Sequence, residues 1–279
     1  MKKEKIKKII SQIKGKKNIG INDNYIFKIL AKFSEQNKFN DLFEKDLKFI
    51  FKNKEFRKIT KEIRQELHRV YGVFQVKKQW KKEELLNNLK NKKLEEVKYF
   101  SREILKLHSS SRERLNDYEE IYYKIFNITG KPQVIIDLAS GLNPCSLILI
   151  NFKGKCFTYE ISENDVDFLN KYFKIVKKYG FDGRALIKNI KEDFNFENGD
   201  VCFLFKFFDL VENRQDFLNK LISHLNCKYL VISFSKKTIS LKDMNKVERK
   251  WFIRLLEKNN LDYNLIDSQN ELFYVIKLE

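Results

Sequence analysis

An α/β fold, a largely parallel sheet wrapped by helices with a separate helical region ahead of it, is what the 279-residue sequence predicts. Three observations carry the prediction. From Pro132 onward, apolar runs that suit buried parallel strands alternate with amphipathic helical stretches. Residues 2–107 show helical periodicity throughout. The only two prolines, Pro132 and Pro144, bracket a single strand–turn segment, KPQVIIDLASGLNP, around which the other elements can be ordered.

In the helical part, Ile6, Ile9, Ile10 and Ile13 recur at i, i+3, i+4 and i+7 with lysines opposite. Tyr25, Ile29 and Phe33 continue the pattern, as do Leu42, Phe43, Leu47, Ile50 and Phe51. Ile59, Ile63, Leu67 and Val70 make a further stripe, backed by Arg57, Lys58, Lys61, Arg64 and Arg69, and Gly72 can end it. Leu85, Leu86, Leu89, Leu94 and Val97 predict two short helices. Ser110 or Ser111 can cap a helix running to about Ile128. Arg112 and Arg114 at its start oppose the helix dipole, which points to a ligand or carboxylate as their partner.

Val134–Leu138 is the first strand. Pro144 suits the first position of the helix after it, where a missing N–H costs nothing. Cys156–Glu160, Ala185–Ile190, Val201–Phe205 and Tyr229–Phe234 read as four more strands. Helices are expected over Glu163–Tyr179, Arg214–Leu225 and Met244–Asn259. Leu261–Ile266 and Leu272–Leu278 are close enough to pair as a terminal antiparallel hairpin, the pattern of the class I methyltransferase fold.

Charge divides the chain. Residues 1–107 hold 30 Lys/Arg and 14 Asp/Glu (+16), whereas residues 108–279 hold 26 and 24 (+2). We therefore expect two domains, 1–107 and 108–279, with a polyanion partner, nucleic acid before membrane, docking on the first. Arg64 and Arg69 there, and Lys236 and Lys237 in the second, are the cations expected at RNA. Cys145, Cys156, Cys202 and Cys227 have no metal-type spacing and read as small buried residues of a reducing cytoplasm. No metal site is expected. The N-terminus lacks the apolar core of a signal peptide, and no apolar run reaches 18 residues.

The strand–turn segment is where chemistry is expected. Small residues between a strand and a helix (Ala139, Ser140, Gly141) let backbone amides approach a ligand. Glu160 ends the second strand 23 residues after Asp137, where an acid can accept hydrogen bonds from ribose hydroxyls. Lys188 and Asn189 end the third strand and can meet an adenine edge. Neither G-x-G-x-x-G nor a P-loop is present. His68 and His224 read as structural.

LHSSSRERLNDYEEIYYKIF followed by VIIDLASGLNPCSL closely resembles the aminoglycoside-resistance family of 16S ribosomal RNA guanine-N7 methyltransferases. LFKFFDLVENRQ, VISFSKKTISL and ELFYVIK extend the likeness over about residues 100–279, and IRQELHRVYGVF is similar more loosely. The resemblance implies a class I, Rossmann-like methyltransferase domain behind an α-helical RNA-binding domain. It implies an S-adenosylmethionine site built from His108, Ser109, Ser110, Arg114, Ala139, Gly141, Glu160, Lys188, Asn189, Phe207 and Gln215, with Phe74 reaching it from the helical domain. Arg114 would hold the methionine carboxylate as a bidentate pair. Three residues depart from the family pattern: Ser140 for cysteine, and Glu160 and Asn189 for aspartate. The Ser235–Asp243 loop is expected to position the substrate.

The activity expected is methylation of guanine N7 in the decoding region of the 30S subunit by a cytoplasmic monomer. An assembly or protection factor without turnover, or an enzyme for another RNA or for adenine N1, is the alternative.

Overall fold

The computed structural model describes residues 2–15, 20–36, 44–70, 81–237 and 247–278. Phe74 and most of the Ser235–Asp243 loop lie outside the described residues, as does the Arg69 side chain. Two compact units divide the chain: residues 1–75 with 161–164, and residues 76–160 with 165–279.

In the first unit, α1 (Lys2–Lys14), α2 (Asp23–Gln36), α3 (Leu47–Lys52) and α4 (Lys54–Val70) bury the described parts of the stripes read from the sequence; Leu42, Phe43, Gly72 and the Val70 side chain lie outside the described residues. Ile9, Ile13, Ile26, Leu30, Ile50, Ile59, Ile63 and Leu67 form one apolar core. Arg64, expected at RNA, is turned onto the end of α1. Its Nε donates to the Ile13 carbonyl (2.8 Å) and its Nη2 to the Gln12 carbonyl (2.7 Å). A helix ends with carbonyls that lack intrahelical partners, and a guanidinium both bonds them and suits the negative end of the dipole.

The second unit begins earlier than the charge boundary at 107/108 suggests. Helices α5 (Lys81–Leu89) and α6 (Leu94–Leu105) place Leu86, Leu89, Val97, Ile104 and Leu105 in the same core as one face of the sheet. The periodicity identifies their apolar faces but not the surface those faces cover. The single helix expected from Ser110 to Ile128 is two, α7 (Ser109–Glu113) and α8 (Tyr118–Thr129). Between them the Asp117 N–H closes a turn on the Arg114 carbonyl (2.9 Å), while the Arg114 side chain, only 3 % exposed, enters the interior. Gly130, at φ +74°, ends α8.

Seven strands follow: β1 (Val134–Leu138), β2 (Gly154–Glu160), β3 (Phe181–Ile187), β4 (Gly199–Phe205), β5 (Cys227–Ser235), β6 (Tyr263–Asp267) and β7 (Glu271–Lys277). Their spatial order is β3-β2-β1-β4-β5-β7-β6, with β1 to β5 parallel and β7 antiparallel to both neighbours. Chain order reverses between β1 and β4, so a ligand crevice is expected beyond their carboxyl ends. α9 (Glu163–Val176), α10 (Arg214–His224) and α11 (Lys250–Lys258) complete the layers. The segment after β1 is a 3₁₀ helix, Asn143–Ile150, with Pro144 in its first turn. Each of the four cysteines is buried and free. Among the described residues no helix is long and apolar enough to cross a membrane.

Candidate active site

The β1 strand carries Asp137 and then a turn in which Ala139 (φ +50°) and Gly141 (φ +53°) are both left-handed. That conformation is strained for any residue with a Cβ. At Gly141 a Cβ would also stand 2.8 Å from His108 Nε2. Glycine is thus required twice, by torsion and by the imidazole packed on the turn. The Gly141 N–H donates to Glu160 Oε2 (2.9 Å), so the acid ending β2 faces the turn after β1. The Lys188 N–H donates to the Glu160 carbonyl (2.9 Å) and joins the end of β3 to the same edge. Ser140, standing for a cysteine, accepts a hydrogen bond from the Thr158 hydroxyl.

Arg114 is the centre of the buried polar groups. Its Nη1 donates to Asn143 Oδ1 (2.7 Å) and its Nη2 to Ser110 Oγ, and its Nε stands 2.9 Å from Glu271 Oε1. This last contact is a close ion pair that is not aligned as a hydrogen bond. Burial alone would lower the Arg114 pKa; the Glu271 carboxylate reverses that and holds it above its ordinary value. Asn143 also accepts from the Tyr118 hydroxyl (3.0 Å) and donates from Nδ2 to Asp137 Oδ2 (2.8 Å).

Three charged residues here escape a reading of the sequence. Lys206, the left-handed residue (φ +55°) directly after β4, pairs with Glu113 and stands 3.2 Å from Glu271 Oε1. Glu271 has no exposure, and its Oε2 accepts from Ser233 Oγ (2.6 Å). Glu113, Lys206, Glu271 and Arg114 therefore form one chain of alternating charge across α7, β4 and β7. Each lies within a motif that carries the family resemblance, but only the sheet order shows that they meet.

The other expected residues divide. His108 and Ser110 are buried beside the turn, and Ser109 is half-buried at the start of α7. Lys188 turns to its own loop, pairing with Asp193 (2.9 Å) and bonding the Asn195 carbonyl. Asn189 Oδ1 accepts from the Lys191 N–H (3.2 Å) and braces the same turn. Phe207 is buried against Phe217. Gln215 on α10 accepts from Lys258 Nζ (3.1 Å) on α11. Lys236 pairs with Asp267 (2.6 Å) and donates to the Ser268 carbonyl (2.9 Å), whereas Lys237 is half-exposed.

The residues fit an S-adenosylmethionine-type ligand. The left-handed turn at Ala139 and Gly141 brings backbone with little or no side chain to the end of β1. Glu160 offers a carboxylate at the β2 end for ribose hydroxyls. With its Asn143 and Ser110 bonds made, Arg114 has a second hydrogen on each Nη, the fork that grips a carboxylate.

Burial sets two opposed proton equilibria here. Burial, partly offset by Asn143, pushes Asp137 up from 3.8 to about 7, and burial pushes His108 down from 6.5 to about 3. Unfolding releases a proton from Asp137 between those limits, so stability falls as pH rises; unfolding takes one up at His108, so stability rises. Each slope is about 1.4 kcal/mol per pH unit, and they oppose each other over roughly pH 4 to 6.5. Asp137→Asn should be most favourable relative to wild type above pH 7. That advantage should shrink by roughly 4 kcal/mol by pH 4, as read by urea unfolding across pH. Parallel profiles for the two proteins would contradict the burial of Asp137.

A sheet in this order, with a left-handed glycine turn after β1 and an acid ending β2, defines a class I methyltransferase. Residues 43–264 match the family model for ribosomal RNA methyltransferase (FmrO), and the chain belongs to that family. It is 30% identical over 253 residues to a 16S rRNA (guanine(1405)-N(7))-methyltransferase of Proteus mirabilis, covering 81% of this chain and 87% of that one. A Micromonospora echinospora protein of the same name is 25% identical over 225 residues, 78% of this chain and 82% of its own. Among solved structures, 16S rRNA methyltransferase RmtF in complex with S-adenosyl-L-homocysteine superimposes with a TM-score of 0.74 at 20% identity, covering 98% of both chains. An rRNA methylase from Escherichia coli gives 0.70 at 19%, covering 98% of this chain and 99% of that one. These likenesses are of fold. The resemblance seen in the motifs thus extends to the whole architecture.

Proposed function

We propose that this protein transfers a methyl group from S-adenosylmethionine to N7 of a guanine in 16S ribosomal RNA, at the position its relatives' names give as 1405. The observation that carries this reading is 30% identity to such an enzyme across 81% of the chain. Guanine N7 presents an in-plane lone pair and has no proton to lose, so attack on a methyl needs alignment more than a general base. Bound here, S-adenosylmethionine supplies that methyl on a sulfonium. Arg114 and Ser110 bind its carboxylate, Glu160 its ribose, and the Gly141 turn brings backbone close. Asn143 and Glu271 hold the Arg114 fork in place. Ser109, Lys188, Asn189, Phe207 and Gln215 belong to the same reading as the walls of the cofactor site, and Lys236 and Lys237 as cations facing RNA.

The basic helical residues, 1–107, dock the enzyme on RNA, and the protein acts as a cytoplasmic monomer on assembled 30S subunits. Docking through many phosphates favours a large folded surface. Turning the guanine out of its stack costs about a few kcal/mol, which a short hairpin offers little binding to offset. Transfer of labelled methyl from S-adenosylmethionine is therefore expected with 30S particles and nearly absent with a protein-free decoding-region hairpin. Equal rates on both would replace surface docking by local sequence recognition. Tight 30S binding without transfer would favour a factor lacking turnover.

A further inference from the structure

We propose that the groove along α4 in the first unit is a nucleotide pocket. It takes one unstacked nucleotide of the RNA substrate, with the base against Phe51 and the phosphate between Arg57 and Lys61. This rests on the reading that the substrate is RNA, and it adds a second place where an RNA nucleotide is gripped, within the unit that lacks the methyltransferase site. The groove has a volume of 610 Å³ and is lined by Phe51, Phe56, Arg57, Thr60, Lys61 and His68 among others. No carboxylate lines it among the described residues. Arg57 and Lys61 are exposed, and Arg57 Nε donates to the Phe51 carbonyl (3.3 Å), tying the guanidinium to the Phe51 end.

Thr60 points to a ligand independently of charge. It is only 7 % exposed, yet its hydroxyl has no hydrogen-bond partner. A helical threonine ordinarily bonds back to the carbonyl three or four residues earlier. A buried hydroxyl left unsatisfied is unfavourable, and a donor or acceptor arriving in the groove relieves it. Phe51 is half-buried and packs at 5.8 Å, tilted 34°, on the buried Phe56 ring. It thus presents a fixed aromatic surface. A bare phosphate leaves that apolar floor unused, and an apolar peptide leaves the cationic rim unused. A nucleotide matches both, because unstacked bases settle on aromatic rings while the backbone meets cations.

The test uses the full chain and assembled 30S subunits, comparing wild type with Thr60→Val, Phe51→Leu and the double variant Arg57→Glu/Lys61→Glu. Thr60→Val keeps shape and removes only the hydroxyl, so with no ligand it leaves 30S affinity unchanged. With the pocket occupied, affinity falls about three- to tenfold, the effect of one net hydrogen bond. Phe51→Leu weakens it about fivefold. S-adenosylmethionine binding stays at the wild-type value in both, and Thr60→Val does not lower the thermal midpoint, because it removes an unsatisfied hydroxyl. Base-reactive chemical probing should show one 16S nucleotide protected by wild type and exposed again with Thr60→Val. The proposal is overturned if only the charge-reversed variant loses affinity, which leaves a plain phosphate surface. It is also overturned if no base protection depends on Thr60. Absence of wild-type binding to 30S overturns the RNA reading as well, whereas wild-type methylation with insensitive Thr60 and Phe51 overturns the pocket alone.

Discussion

Arg114→Ala is expected to abolish methyl transfer and to lower unfolding free energy by about 3–5 kcal/mol, the cost of breaking a buried ion pair. Read from sequence, the residue looks like a ligand-gripping cation whose loss spares the fold. The structure gives it a second duty. Removing it leaves Glu271, which has no exposure, with Lys206 as its paired cation, and strips partners from Asn143 and Ser110. Arg114→Lys separates the two duties, because the ammonium keeps the charge and loses the fork. Its fold should largely survive while cofactor affinity drops about ten- to a hundredfold. Calorimetric titration with S-adenosylmethionine, beside urea unfolding, reads both. Wild-type affinity in Arg114→Lys would remove the guanidinium from the carboxylate site.

Gly141→Val should be nearly as damaging. A β-branched residue at φ +53° is strained by about 1–3 kcal/mol. Overpacking against the buried His108 ring, 2.8 Å from the new Cβ, adds about 1–3 kcal/mol more. Cofactor binding should become undetectable. Adding His108→Ala relieves the clash but leaves the torsion strained, so stability should recover only in part. Full recovery would assign the whole defect to packing.

Much of this architecture is legible in the sequence because buried parallel strands are apolar on both faces. β1 is read to the residue, and β4 and β5 to within two residues at either end, since apolar residues dominate each run. β3 is harder. It is an edge strand, and Asp182, Gly183 and Arg184 face partly outward, so its first four residues look like loop. Gly141 and Glu160 are visible because turn chemistry and spacing mark them. Lys206 and Glu271 are not, because a charge beside a strand end ordinarily points to water. Only the pairing of β4 with β5 and of β5 with β7 brings them to Arg114 and its neighbour Glu113. The bond from Arg64 to the end of α1 is likewise illegible, because periodicity gives the basic helix face but not how α1 packs beside it.

Assembled 30S subunits incubated with the protein and S-adenosylmethionine can be mapped by reduction and strand cleavage, which breaks RNA at N7-methylguanosine. One new cleavage is expected, at the guanine corresponding to position 1405, lost with Arg114→Ala. Methyl incorporation without any new cleavage, or cleavage at another guanine, would contradict N7 methylation at that position.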